Sequence, residues 1–223
     1  MKKILLIEDR KERQQLFMNA TNIDLGRYDD ILENAVDEKY DEIFDKLKND
    51  SFDFENYSII ISHKSAFDKD NSVIIEKLKS YCNTHKKPLV FFSGGIDENY
   101  YNKSEYELVL INSKTFYSQN IALFLEAYKD ENENILILPY GKKWKLNIAL
   151  NLLEKLSFFL QKNEKNENVH YNSLVKDVDI SLLDTISFKY NLEKSKFNKV
   201  EITKITQIKE KLYQYIQESV IYE

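Results

Sequence analysis

Several residue types are scarce in this chain of 223 residues, and each scarcity excludes a class of protein. The single cysteine, Cys82, excludes an internal disulfide and a cysteine-based zinc site. Four glycines and two prolines exclude collagen-like and flexible low-complexity architectures. No apolar run reaches the roughly 18–20 residues that a membrane span needs. The apolar run from Ile4 stops at Glu8, so we expect no signal peptide and a cytoplasmic protein.

Basic residues are also in deficit, since the net charge is −5 at pH 7. Nucleic-acid-binding domains usually carry a basic patch, so nucleic acid is not the expected partner. The acidic excess is concentrated between Asp24 and Glu55, where 12 acidic residues face 4 basic ones. This segment is either a solvated helix face or a docking surface for a basic partner.

Short apolar runs alternate with segments of helical periodicity along the first 160 residues. The predicted strands cover residues 2–7, 28–35, 57–61, 88–92, 108–111 and 135–138. The predicted helices cover residues 11–21, 36–47, 73–82, 115–128 and 143–160. This alternation is typical of an α/β fold, in which a doubly wound parallel sheet is covered by helices on both faces.

The last third of the chain differs in character. A polar stretch over residues 161–168 predicts a linker, which divides an α/β domain at 1–165 from a helical C-terminal extension at 166–223. Within the extension we predict helices over 174–192 and 203–222. The second has an apolar seam formed by Ile205, Ile208, Leu212, Ile216 and Val220. The seam either packs on the α/β domain or contacts another chain, including a second copy in a homodimer.

Ligands of doubly wound sheets bind beyond the carboxyl ends of the strands, so the residues that follow each strand are the candidates for a site. They are Glu8 and Asp9, Ser62 and His63, Ser93, Gly94 and Gly95, Lys114, and Gly141 and Lys142. The two glycine segments could let the backbone approach an anion, although a tight turn is the preferred interpretation of Gly94-Gly95.

Three of these segments resemble bacterial response-regulator receiver domains. Ile4-Leu5-Leu6-Ile7-Glu8-Asp9 is similar to their first strand and acidic pair. Phe91-Phe92-Ser93-Gly94 is similar to their fourth strand, and Asn112-Ser113-Lys114 loosely matches the lysine after their fifth. The resemblance covers about residues 1–128 and implies a flavodoxin-like (CheY-like) sheet, which the strand at 135–138 would extend.

The sequence departs from the receiver pattern at the phosphate-accepting aspartate, where Ser62 or His63 stands instead. The family's phosphoryl transfer needs a carboxylate nucleophile and Mg²⁺ held by oxygen ligands. The resemblance therefore implies a degenerate receiver, in which Glu8 and Asp9 hold Mg²⁺ weakly at most and a protonated His63 competes with it.

We therefore expect a non-enzymatic regulatory or adaptor module that binds another protein in a bacterial signalling or defence assembly. Two alternatives stay open. One is a phosphoacceptor that uses a displaced acid, Asp68 or Asp70. The other is a sensor of a small anionic ligand bound over Ser93–Gly95 and Gly141–Lys143.

Overall fold

The computed structural model describes residues 2–67, 70–164, 177–192 and 197–221. It divides into two compact units, Met1–Lys142 and Lys143–Glu223. This division precedes the boundary expected at 165, because the long helix that follows Lys143 packs against the C-terminal helix of the second unit. Among the described residues, no helix combines the length and the apolarity needed to cross a membrane.

The first unit confirms the predicted α/β class, with helices following most of the strands. Its strands are β1 (Lys3–Ile7), β2 (Leu32–Ala35), β3 (Tyr57–His63), β4 (Leu89–Ser93), β5 (Tyr100–Asn102) and β6 (Leu108–Asn112). Its helices are α1 (Lys11–Thr21), α2 (Glu38–Lys48), α3 (Asn71–His85), α4 (Ser113–Phe116), α5 (Gln119–Lys129) and α6 (Ile137–Tyr140). A 3-10 turn at Leu25–Tyr28 precedes β2.

The sheet has the order β2-β1-β3-β4-β6-β5, which is consistent with a flavodoxin-like fold. All neighbouring pairs are parallel except β5 and β6, which are antiparallel. The central strands are continuous apolar runs because helices cover both of their faces. The four residues Ile4–Ile7 of β1 are completely buried.

The residues predicted to form an additional strand, 135–138, are not a strand. Asn134 begins a helical turn there, since its side-chain oxygen accepts the N–H of Leu136 at 3.0 Å and its carbonyl accepts that of Ile137 at 3.2 Å. A four-residue apolar run has no periodicity that separates a strand from a buried helix. The sheet is extended instead by β5, a three-residue edge strand of Tyr100, Tyr101 and Asn102.

The single helix predicted over 115–128 is divided into α4 and α5. Ser118 lies between them in an extended conformation, and its hydroxyl accepts the N–H of Asn120 at 3.2 Å. This side chain caps the new helix. The division places Tyr117, the residue after α4, in the core of the first unit.

The second unit contains α7 (Trp144–Glu164), α8 (Lys199–Ile221) and an antiparallel pair, β7 (Asp177–Asp179) with β8 (Lys189–Asn191). The helix predicted over 174–192 is therefore wrong for the described residues, which form a hairpin with a 3-10 turn at Ser181–Leu183. Between 178 and 192 the apolar residues recur mostly at every second position, a spacing that favours strands over a helix. Residues 165–176, including the second half of the predicted linker, lie outside the described part.

The apolar seam of α8 is covered to different extents. Ile205 and Leu212 are completely buried, whereas Val220 is 61% exposed. Since α8 packs against α7, the buried part of the seam is occupied within the second unit.

Candidate functional site

Three predicted site residues meet at the carboxyl end of the sheet. Glu8 and Asp9 follow β1, and His63 ends β3. Because β1 and β3 are parallel and Ile7 lies opposite Ser62, the next residue of each strand reaches the same edge. One ligand atom from each of Glu8, Asp9 and His63 lies within 4.8 Å of the others. We call these three residues the acidic-histidine cluster.

Arg13, which sequence reasoning missed, bonds both carboxylates of this cluster. Its guanidinium forms an ion pair with Glu8 and a second one with Asp9 Oδ1 at 2.7 Å. Helix α1 positions Arg13 for this contact, since Asp9 lies two residues before the helix and four residues before Arg13. The i,i+4 spacing was the signal in the sequence that could have identified Arg13.

The second oxygen of Glu8 is also bonded. The hydroxyl of Tyr117 donates to Glu8 Oε2 at 2.9 Å, and Gln14 Nε2 lies 3.4 Å from the same hydroxyl. The side-chain amides of Gln14 and Asn34 of β2 exchange two hydrogen bonds. Gln14 Nε2 donates to Asn34 Oδ1 at 3.0 Å, and Asn34 Nδ2 donates to Gln14 Oε1 at 2.8 Å. Glu8 has no exposed surface, so these bonds replace its hydration.

The two carboxyl groups have opposite pKa shifts. Burial raises the pKa of Glu8, and the opposing effect of Arg13 does not cancel it. Burial also raises the pKa of Asp9, but the hydrogen bonds and charges of His63, Glu8 and Arg13 lower it to about 2. Asp9 is therefore the firmly ionised member of the pair.

His63 is buried beside Asp9. Its Nδ1 lies 3.4 Å from Asp9 Oδ1 and 3.4 Å from the backbone N–H of Ser65. A protonated Nδ1 donates to Asp9, whereas an unprotonated Nδ1 accepts from Ser65. The edge of the ring packs on Phe92, with centroids 5.3 Å apart.

The other receiver-like positions are arranged differently. Ser62 is buried, and its hydroxyl donates to the His63 carbonyl at 3.2 Å, so His63 is the residue in the cluster. Ser93 Oγ accepts the N–H of Gly95 at 3.4 Å. Lys114 is exposed on α4, and in the described part of the chain no ion pair links its amine to Glu8 or Asp9.

The glycine segments have local roles in the backbone. Gly141 ends α6 with φ +74°, and Asn120 Oδ1 would lie 3.1 Å from an added Cβ. Gly94 and Gly95 have open space around them. Lys142 is exposed after Gly141.

The phosphoacceptor alternative needs Asp68 or Asp70 beside Glu8 and Asp9, and no contact among the described residues places either acid there. Asp70 precedes α3 and forms an ion pair with Lys48 of α2 at 3.2 Å. Asp68 lies outside the described residues.

The cluster does not fit the magnesium that the receiver resemblance implies. Mg²⁺ requires oxygen ligands in near-octahedral geometry. Here an imidazole replaces the third carboxylate, and a guanidinium already bonds the other two. A divalent cation would have to displace Arg13 and approach His63. The arrangement is a charge-compensated buried network of four side chains.

Comparison with family models, curated proteins and solved structures gives no match to this chain.

Proposed function

We propose that this chain is a pseudo-receiver, a regulatory or adaptor module that binds another protein in a bacterial signalling or defence assembly and performs no catalysis. The strand order β2-β1-β3-β4-β6 supports this proposal, since receivers have the same arrangement of five parallel strands. A module of this kind would act in the cytoplasm.

One observation carries the proposal: the guanidinium of Arg13 bonds both Glu8 and Asp9. In a phosphorylated receiver, a metal ion compensates the acidic pair and a carboxylate attacks phosphorus. Here Arg13 supplies the compensating charge from within the chain, and His63 stands in place of the nucleophile. A fold that keeps the receiver strand order but has lost metal binding and phosphoryl transfer can still bind partner proteins through its surface.

The acidic segment is the better supported surface for a partner. In α2 and at its start, Asp37, Glu38, Asp41, Glu42 and Asp45 are exposed. Asp37 is paired with Lys11 at 2.5 Å and Glu42 is paired with Lys46. Glu38 and Asp41 lie on the same helix and give the face a negative charge that a basic partner would complement. The exposed apolar residues of α8, Tyr213 and Val220, support a homodimer as the second arrangement.

The test is phosphorylation by acetyl phosphate with Mg²⁺, followed by intact mass measurement. We expect no mass gain for the wild type, because no carboxylate occupies the acceptor position and Arg13 opposes the metal. The Arg13→Met/His63→Asp double variant restores a third carboxylate and removes the competing charge. We expect it to bind Mg²⁺ more tightly than the wild type in a calorimetric titration.

A hydroxylamine-labile gain of one phosphoryl group by the wild type would overturn the proposal. Asp68→Asn and Asp70→Asn variants would then identify a displaced acceptor by losing the label.

A further inference from the structure

A cavity of about 600 Å³ lies near the amino-terminal ends of β1, β3 and β4, the edge opposite to the acidic-histidine cluster. Its volume is within the range of small-molecule sites, roughly 300–1,000 Å³. The charged and titratable lining residues are Lys2, His85, Lys86, Lys87, Glu131 and Glu133. They come from the residue before β1, the turn between α3 and β4, and the loop after α5.

The three lysines of this cavity have no carboxylate partners among the described residues, since no carboxylate oxygen there lies within 4 Å of their amines. The amine of Lys87 donates to the carbonyl of Tyr57. The amine of Lys86 donates to Asn83 Oδ1 at 3.1 Å and to the carbonyl of Glu105 at 3.0 Å. Neutral oxygens therefore accept these hydrogen bonds, and none of the three amines forms a direct ion pair with a described carboxylate.

Lys87 is the unusual member of the set, because it is only 8% exposed. Lysines are rarely so buried unless an opposite charge pairs with them. Burial and the nearby charge of Lys2 lower the pKa of Lys87, and the carboxylates of Glu55 and Asp53 oppose this shift without cancelling it. An anion in the cavity that both residues line would relieve both costs.

We propose that this cavity binds a small phosphate-bearing molecule, with Lys2, Lys86 and Lys87 compensating its charge. Lysine is a compact charge with three rotatable donors, suited to the oxygens of a phosphate group. Glu131 and Glu133 share the cavity wall and repel extended polyanions, so the site selects a small anion over a nucleic-acid backbone. The ring of His85 stacks on Tyr81 at 4.2 Å, which gives the organic part of the ligand a fixed flat surface.

This site is independent of the proposed function. It uses neither Arg13 nor His63, and it lies near the other ends of the strands. The adaptor proposal can fail while the cavity binds its ligand, and the reverse also holds.

The test is a calorimetric titration of the full chain with pyrophosphate and with ADP, at constant ionic strength. We expect saturable binding of at least one probe. Lys87→Met, which keeps the side-chain stem, should weaken binding about tenfold or more, because it removes a partly buried charged donor. Lys2→Gln should weaken it about threefold, because Lys2 is exposed.

Two matched lysine variants locate the ligand. Lys114→Gln and Lys142→Gln each remove one exposed charge away from the cavity and should leave the affinity unchanged. A loss of affinity in Lys142→Gln would instead place the anion at Gly141 and overturn the proposal. Absence of saturable binding at millimolar probe would also overturn it.

Circular dichroism of each variant checks that it is folded. Lys2 is exposed, and only its backbone carbonyl accepts the hydroxyl of Tyr128, so Lys2→Gln keeps that hydrogen bond. The Lys2→Gln variant therefore still tests the proposal if Lys87→Met unfolds.

Discussion

The buried carboxylate Glu8 has one compensating charge, the guanidinium of Arg13. A buried ionised carboxylate is costly unless it is paired and hydrogen-bonded. Glu8 meets both conditions through Arg13 and Tyr117, and Asp9 shares the same guanidinium. In our proposal Arg13 opposes metal binding at the acidic pair, and the same guanidinium also stabilises the fold.

Replacing Arg13 by Met should lower the free energy of unfolding by about 3–5 kcal/mol at pH 7, because it leaves Glu8 buried without a compensating charge. Urea denaturation followed by circular dichroism measures the change. Lys46→Met is the control, since its ion pair with Glu42 is exposed to solvent and should contribute little to the free energy of unfolding.

The double variant Arg13→Met/Glu8→Gln should recover part of this loss, because it removes the orphaned charge together with its partner. Additive losses in the double variant would contradict a direct coupling between the two side chains.

Asp9 makes the unfolding free energy depend on pH. Its pKa is lowered from 3.8 to about 2, so its contribution is complete above the unfolded pKa and is lost as the pH falls toward 2. The stability advantage of the wild type over Asp9→Asn should therefore shrink by about 1 kcal/mol between pH 6 and pH 3. Denaturation curves of the two proteins at both pH values measure it.

Glu8 is present in both proteins, and its raised pKa acts with the opposite sign, since its ionised form is disfavoured by folding. The Asp9 side chain is one cause of that raised pKa, so the comparison with Asp9→Asn reports on the coupled pair, in which the loss at low pH comes from Asp9. A constant difference across this range would contradict the lowered pKa of Asp9.

At the scale of elements, the strands that are buried on both faces could be predicted within a few residues. β1, β3 and β4 are continuous runs of apolar and β-branched residues, and that composition is specific to covered parallel strands. Residues 135–138 have the same composition but form a turn that leads into α6, because Asn134 accepts the N–H groups of Leu136 and Ile137. The pattern of apolar residues alone does not distinguish a buried strand from a buried helical turn.

The site was predictable where it depends on strand ends and unpredictable where it depends on helix packing. Glu8, Asp9 and His63 follow from the parallel register of β1 and β3. Tyr117 is 109 residues from Glu8 and reaches it only because Ser118 begins a new helix after α4. No local spacing in the sequence predicts such a contact.

The junction between α6 and α7 depends on a glycine conformation. Gly141 has φ +74° and ψ −169°, a region that is almost exclusive to glycine. Gly141→Ala should cost about 1–3 kcal/mol from backbone strain, and the contact with Asn120 adds to it. Gly95→Ala is the matched control, because an added Cβ there meets nothing within 4 Å. Thermal denaturation of both variants compares them, and equal melting temperatures would contradict the assignment.

At the scale of the whole molecule, the division at Lys142 determines which part of the chain to separate. The sheet has its own core of Leu5, Ile60, Leu78 and Phe91 with their neighbours, all within the first unit. We expect a chain ending at Lys142 to fold cooperatively, as shown by a sigmoidal urea transition. A chain ending at 165 would carry α7 without α8, and would expose the face of α7 that α8 covers.

The truncated chain also identifies the unit that binds a partner. Because Ile205 and Leu212, at the centre of the α8 seam, are already buried, our proposal places the partner surface on the acidic face of α2. A partner captured by the full chain should then also bind the chain ending at Lys142. Its binding should weaken as salt rises, since exposed charges are screened.

Glu38→Lys/Asp41→Lys should abolish capture by charge reversal, whereas Glu210→Lys, an exposed change on α8, should not. Capture that is lost on truncation and insensitive to the α2 reversal would move the interface to the second unit.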